Sequence, residues 1–478
     1  MEDSTQPLLL SQHQITNTTN SSSSCTFIAG DDDISPINSP RDFFREFTKE
    51  SKKLWFLAVP AMFTTLCQYS LGAITQTFAG QLRALDLAAI SVENSVIAGF
   101  SFGIMLGMGS ALETLTGQAF GAGQLDMLGI YLQRSWIILC TTASIFCLIY
   151  VFATNILRAI GQTEAISTSA GLFALYMIPQ LFAYAMNFPM AKLLQAQSKI
   201  MVMAVIAGSA LVLHVIFSWL FMLKLRWGMV GAAVVLNAAW WFIDICQFIY
   251  IISGTCGRAW NGFSLKAFQN LWGFACLSIA SAVMICLEAW YYMSLILFAG
   301  YLKNAEVAID ALSICMNILG WTIMASLGMN AAISVRISNE LGARHPRTAK
   351  FSLLVAVISS FCIGVLISAI LFFTRNIYPS LFSNNSQVQD LVIQLTPLLS
   401  VCIIINNIQP VLSGMAIGAG WQAVVAYVNI ACYYLFGIPL GLILSYKIGL
   451  GVKGIWLGMM SGTIVQTLAL TYMIYKTN

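Results

Sequence analysis

Charge is what this sequence has least of. Only 9% of its 478 residues are Asp, Glu, Lys or Arg, where a soluble domain carries about 25%. So few charges cannot coat a water-facing surface, which excludes a large soluble helical protein. Histidine is nearly absent, with three in the chain, and only His214 falls in an apolar run. The twelve cysteines form no C-x-x-C pair. Most of them, such as Cys67, Cys140, Cys276, Cys315 and Cys402, lie in hydrophobic segments, where they read as small apolar residues. No metal or cofactor is expected. A P-loop, a dinucleotide fingerprint and a nucleophile elbow are missing as well. The chain is therefore not expected to be an enzyme. Uphill work would draw on an ion gradient, on the substrate's own gradient or on a partner ATPase. Strand-period alternation is absent, which argues against a β-barrel. The amino terminus lacks the basic start, apolar run and cleavage site of a signal peptide.

What the chain has is hydrophobic length. It is 58% hydrophobic with a mean hydropathy of +0.80. Twelve runs reach the roughly 20 residues that span a bilayer. They lie near 54–80, 87–112, 135–153, 166–188, 200–223, 229–252, 271–299, 308–332, 352–373, 390–414, 422–445 and 452–475. Lipid offers no partner to unpaired backbone groups, so each is expected to be a helix. The fold class is an all-α polytopic membrane protein of twelve helices in two six-helix lobes. The lobes cover 51–252 and 271–478, with a linker at 253–270. Residues 1–50, with low-complexity Thr16 to Ser24 and the acidic run Asp31-Asp32-Asp33, read as a disordered arm. Within it Phe43, Phe44 and Phe47 alternate with Arg41, Arg45 and Lys49, a pattern for a short helix lying on the membrane surface. Fifteen of the 23 Lys and Arg residues fall on the side of the amino terminus and eight on the other. That bias makes both termini and the linker cytosolic.

The chain also repeats itself, at an offset of about 221 residues. Phe78-Ala79-Gly80-Gln81-Leu82 is echoed by Phe298-Ala299-Gly300-Tyr301-Leu302. Gly107 through Gly123 is echoed by Gly328 through Arg344, with Gly107/Gly328, Met108/Met329, Ala111/Ala332, Gly121/Gly342 and Ala122/Ala343 identical. Pro189 answers Pro410, and Gly228 and Gly231 answer Gly451 and Gly454. Six spans per half give both halves the same topology, hence parallel repeats about an axis along the membrane normal. A duplicated membrane half is the common build of a transporter, with the substrate path between the halves.

Ionisable residues inside spans are costly and mark ion or substrate paths. The candidates are Glu93 in the second span, Asp244 in the sixth and Glu288 in the seventh. Glu288 stands out, deep in an apolar stretch beside Trp290, Tyr291 and Tyr292, where a carboxyl group can take up and release a proton. The alternative for each is a neutral acid bonded to a neighbouring helix. Gln68, Asn94, Asn317, Asn406, Asn407 and Gln409 are candidates to line a cavity with polar groups, or else to tie helices together. Pro60 and Pro410 remove backbone donors and can kink the first and tenth helices.

The segment Gly107 to Gln118 resembles the end of the second helix in plant multidrug and toxic compound extrusion transporters. Ala331 to Gly342, Gln409 to Gly414, Gly420-Trp421-Gln422, and Tyr433-Tyr434 with Gly437-Ile438-Pro439 are similar to the same family. The likeness runs from about residue 50 to the end. Within the family the chain looks closest to vacuolar, flavonoid-associated members, whose subgroup includes anion-conducting proteins. The resemblance implies two lobes around a central cavity open alternately to each side, and substrate exit coupled to proton entry. It places the family's seventh-helix acid on Glu288. The tenth-helix acid, three residues before a Gln, falls on Asn406, which cannot take up a proton.

The expected partners are a small organic solute with protons, or chloride, and the lipid bilayer, with no nucleic acid and a monomeric chain. Two functions follow. One is proton-coupled antiport of flavonoids, alkaloids or other xenobiotics out of the cytosol. The other is passive anion conductance on the same scaffold. The expected site is the vacuolar membrane, with the plasma membrane as the alternative.

Overall fold

A computed structural model describes residues 33–299, 305–383 and 385–477. Twelve helices in it are long and apolar enough to cross a membrane. They are α1 Pro40–Ala79, α2 Ala84–Gly121, α3 Leu125–Val151, α4 Glu164–Ala196, α5 Ile200–Lys224, α6 Gly228–Thr255, α7 Leu271–Ala299, α8 Ala305–Gly342, α9 Pro346–Thr374, α10 Ser386–Ala419, α11 Gln422–Lys447 and α12 Val452–Lys476. Most of the expected arm, and the Gly300-Tyr301-Leu302 part of one repeat copy, lie outside the described residues.

The arm expectation is corrected at its inner end. Helix α1 begins at Pro40, ahead of the boundary at 50. Ser39 caps it by accepting from the Asp42 amide, and Pro40 occupies the first turn, where its missing N–H costs nothing. The 41–49 stretch is therefore the first turns of α1, not a separate surface helix. Phe43 lies 5.8 Å from Phe351 of α9, edge to face. Ahead of the helix, Asp33 accepts from the amide and hydroxyl of Thr348. Burial pushes the Asp33 carboxyl up, but bonds from Thr348, Arg347 and Ile34 outweigh it and hold the group below its usual range. Lys350 donates to the Thr477 carbonyl at 2.6 Å. Both ends of the described residues thus meet α9 on one face, the terminal face.

Buried side chains of α2 to α6 make one core, around Leu139, Phe173, Leu181 and Ile243. Another in the second half gathers Leu312, Leu399, Tyr433 and Trp456. Helix α1 belongs to both halves. Its Leu54, Leu57, Ala58 and Ala61 pack with Ala332, Val335, Val355 and Val411, whereas Leu71 and Ala79 join the first-half core. Near its start Glu50 receives two bonds from Arg336, at 2.8 and 3.0 Å, and one from Ser352 at 2.5 Å. Arg336 also pairs with Glu340, which His345 contacts. A buried ion cluster is tolerable only when each charge is paired this way.

The repeat explains how the halves meet. A Cβ on Gly121 would fall 2.0 Å from the Asn339 carbonyl oxygen, and one on Gly342 would fall 2.2 Å from that of Gln118. These four residues are two sets of repeat mates, so the contact is self-complementary about a pseudo-two-fold axis. Gln118 reaches the Gly418 carbonyl at 3.2 Å and Asn339 the Ala196 carbonyl at 3.0 Å. Gln422 and the Ile417 carbonyl hold Thr114. The polar contacts between the halves gather at the terminal face. Nearer mid-membrane two ring pairs bridge them. Phe100 and Trp290 lie 6.4 Å apart with planes parallel to 2°, and Tyr69 and Trp321 lie 5.4 Å apart, edge to face. Phe100 answers Trp321 in the repeat, and Tyr69 answers Trp290. All four rings are exposed although they span the seam, so the halves part at this level. Beyond it, the Ala84–Val92 part of α2 packs against α4, α1 and α6, while Gly99–Gly121 packs against α7, α8 and α10.

Candidate functional site

Glu288 sits on α7 at the level where the halves part, half-buried. One of its oxygens, Oε1, accepts from three donors on two helices. Gln409 Nε2 of α10 lies 2.9 Å away, Ser413 Oγ of α10 3.0 Å, and Asn429 Nδ2 of α11 3.4 Å. Gln409 and Ser413 are one helical turn apart, on one face of α10, and Gln409 also donates to Ser413 at 3.0 Å. Asn429 is held in turn by Gln466 of α12, whose Nε2 donates to its Oδ1 at 3.1 Å. A wide π-helical turn begins at Ile430, directly after Asn429. Such turns often occur where a functional side chain is presented.

One helical turn along α7, Tyr292 donates its hydroxyl to Asn406 Oδ1, and Asn406 Nδ2 reaches Cys402 Sγ at 3.0 Å. Tyr291 stacks on Tyr433 at 4.2 Å and donates to the Met459 carbonyl at 2.7 Å. Tyr434 donates to the Leu287 carbonyl at 3.1 Å. These bonds pin α7 on both sides of Glu288. The carboxyl group is thus held on a fixed stretch of helix, facing donors from α10 and α11.

The chain's relatives fit this architecture. A sequence profile of the MatE family matches residues 60–220 and 280–443. The chain belongs to the MatE family. It is similar to DETOXIFICATION 29 of Arabidopsis thaliana, at 68% identity over 94% of this chain and 89% of that protein. DETOXIFICATION 31 of Arabidopsis thaliana is 66% identical over 93% and 85%. Among solved structures, the eukaryotic MATE transporter AtDTX14 superposes with a TM-score of 0.85 at 33% identity, over 90% of this chain and 97% of that one. A MatE protein is a membrane transporter, not an enzyme.

In this MatE chain the expected site residues separate. Glu288, Gln409 and Asn406 come together. Asn407 is tied to a neighbouring helix: it is buried, accepts from Ser326 of α8 at 3.0 Å and donates back to Ile403 at 2.8 Å. Glu93 lies apart from the Glu288 cluster. It is 1% exposed in the first-half core, at the start of a π-helical turn, near Tyr150 and Tyr184. Its Oε1 has no hydrogen-bond partner. Asp244 is buried beside Asn187. Asn317 is exposed and bonds back to the Ser313 carbonyl, and Gln68 and Asn94 are half-buried, Asn94 against Gly72. Helices α1 and α10 run continuously through Pro60 and Pro410, and the Pro410 carbonyl takes the Asn330 amide at 2.6 Å. Ser413, Asn429 and Gln466 were not anticipated. The signal for them was a lone polar residue in an apolar span, and for Ser413 its spacing of four from Gln409.

Proposed function

We propose that the chain is a proton-coupled antiporter of organic solutes such as flavonoids, alkaloids or other xenobiotics. It moves them by alternating access from the cytosol to the vacuole lumen, or to the outside if it resides in the plasma membrane. The terminal face, which carries the Lys and Arg excess, is the cytosolic one. The halves then part toward the lumen, the geometry of a solute-releasing, proton-accepting state. The observation that carries the reading is Glu288, a half-buried carboxyl group with three donors from two helices at the parting of the halves. The test is transport in vesicles of the purified protein, with pH gradient and membrane potential set separately. Uptake is expected to follow the pH gradient and to lose that dependence in Glu288→Gln. Normal proton-driven uptake by that variant overturns the assignment.

A second reading, passive anion conductance, is favoured by one observation. Asn406 holds an amide, bonded to Tyr292, where a second proton acceptor would stand. A chloride current indifferent to pH in patch-clamped membranes supports this reading and rejects obligatory exchange. The chain acts as a monomer in either reading, since each half presents its seam to the other.

A further inference from the structure

The segment between α6 and α7 turns its apolar side chains away from the protein. Its backbone is seated on α3. Gln133 donates to the Gly262 carbonyl at 2.9 Å and accepts from the Ser264 amide at 2.8 Å, and Arg134 donates to the Lys266 carbonyl at 3.2 Å. The approach is close, for a Cβ on Gly129 would lie 2.6 Å from the Ala259 carbonyl oxygen. Trp260 packs between Trp136 and Phe248, 6.0 Å from each ring. Ala259 and Ala267 are buried against the first half.

The opposite side is apolar and bare. Phe263 is 78% exposed, Leu265 85%, Phe268 62% and Trp272, in the first turn of α7, 79%. The local geometry puts three of these on one side. Residues i and i+2 share a face in extended chain, which aligns Phe263 with Leu265. Residues i and i+3 eclipse in a 3₁₀ turn, which aligns Leu265 with Phe268 in Leu265–Phe268. Water would penalise such a cluster, and an apolar patch of this kind marks an interaction surface.

We propose that this linker face is embedded in the lipid leaflet at the terminal face, with phospholipid as its occupant. Its level supports this. The linker docks on Gly129, Gln133 and Arg134, where the apolar run of α3 begins, and it is bracketed by the ends of two spanning helices. The face is continuous with lipid-facing α7 through Trp272. Lys266 is exposed on the same 3₁₀ turn, placed for a headgroup phosphate, and aromatic side chains favour this boundary layer. An interfacial role thus falls to 263–272. Its consequence is mechanical: the connector of the halves is fixed to α3 and to the leaflet, so the second half moves against an anchored strap.

The test uses the full chain in vesicles of phosphatidylcholine with phosphatidylserine. A photoreactive benzoylphenylalanine is placed at Phe263, at Leu265, or at Asn261, whose side chain bonds to Asp126. After irradiation the linker peptide is analysed by mass spectrometry. Phospholipid adducts are expected at 263 and 265, at least about tenfold above the yield at 261. Crosslinks at 263 and 265 to protein, from this chain or a second copy, or products without lipid, overturn the proposal. As a second measurement, Leu265→Asp is expected to speed amide exchange in 263–268 in the bilayer while the exchange of α3 stays unchanged. Equal exchange in both proteins also overturns it.

Discussion

Glu288 and Glu93 are two acids inside spanning helices, one in each half, and their surroundings are opposite. Glu288 is half-buried and its Oε1 has three donors. Glu93 is sealed among aromatic side chains and its Oε1 has none. The frames of the two halves match well enough that Gly121 and Gly342, and the two bridging ring pairs, occupy equivalent places. The chemistry does not match. With Pro189 and Pro410 in register, Asn406 answers Ala185, Gln409 answers Phe188, and Glu288 answers Cys67. Duplication supplied the shared scaffold, and the cluster around Glu288 was built on one copy only.

The largest test of that comparison moves the acid across it. Cys67→Glu puts a carboxyl group at the first-half equivalent of Glu288, where Cys67 is buried; of the residues answering its three donors, Phe188 and Gly208 offer no side-chain donor and Lys192 is already paired with Glu113 at 2.7 Å. An uncompensated buried charge costs about 3–5 kcal/mol, so the thermal unfolding temperature of the detergent-solubilised variant is expected to drop. A variant as stable as the parent would mean that the halves are chemically interchangeable. Next comes Glu288→Gln. Side-chain shape is kept and the titratable carboxyl group is lost. Coupling energies between sites run to roughly 5–150-fold, and a loss of pH-driven uptake in that range is expected with unfolding temperature little changed.

Much of the fold was legible because lipid leaves few choices. A long apolar run must be a helix, so the twelve spans and their pairing into halves followed from hydropathy and the repeat. The start of α1 was not legible that way, since 40–50 is polar. Ser39, Pro40 and Asp42 nevertheless spell a capped helix start. At the site, Glu288 and Gln409 were readable because an acid or amide in an apolar span is costly. Asn429 and Gln466 carried the same signal, but their helices touch α7 only in three dimensions. Asn407 and Glu93 fit the alternative that the sequence left open. A polar residue in a span can serve another helix or lie in a core instead of facing a path.

A smaller effect is expected from Gln466→Ala. Gln466 touches Asn429, not Glu288, so it acts by positioning. Removing it leaves the buried Asn429 Oδ1 without its donor, a cost of about 1 kcal/mol. The pH profile of transport is expected to shift while its dependence on the gradient remains, and Gln466→Asn, which retains an amide, is expected to restore part of it. An unchanged profile in Gln466→Ala would confine the site to α7, α10 and Asn429.

The smallest expected effect belongs to Glu93→Gln, and it tests the comparison from its other side. Glu93 Oε1 has no donor to lose, and glutamine has the same shape. The new amide finds Tyr150 and Tyr184 nearby. Stability is expected to change by less than about 1 kcal/mol, and proton-driven uptake to stay within about twofold of the parent. The vesicle assay used for Glu288→Gln reads both variants side by side. If Glu93→Gln loses pH-driven uptake while Glu288→Gln keeps it, the proton site lies in the first half. The donors around Glu288 are then a structural tie, and the sealed carboxyl group is the one that must open during the cycle.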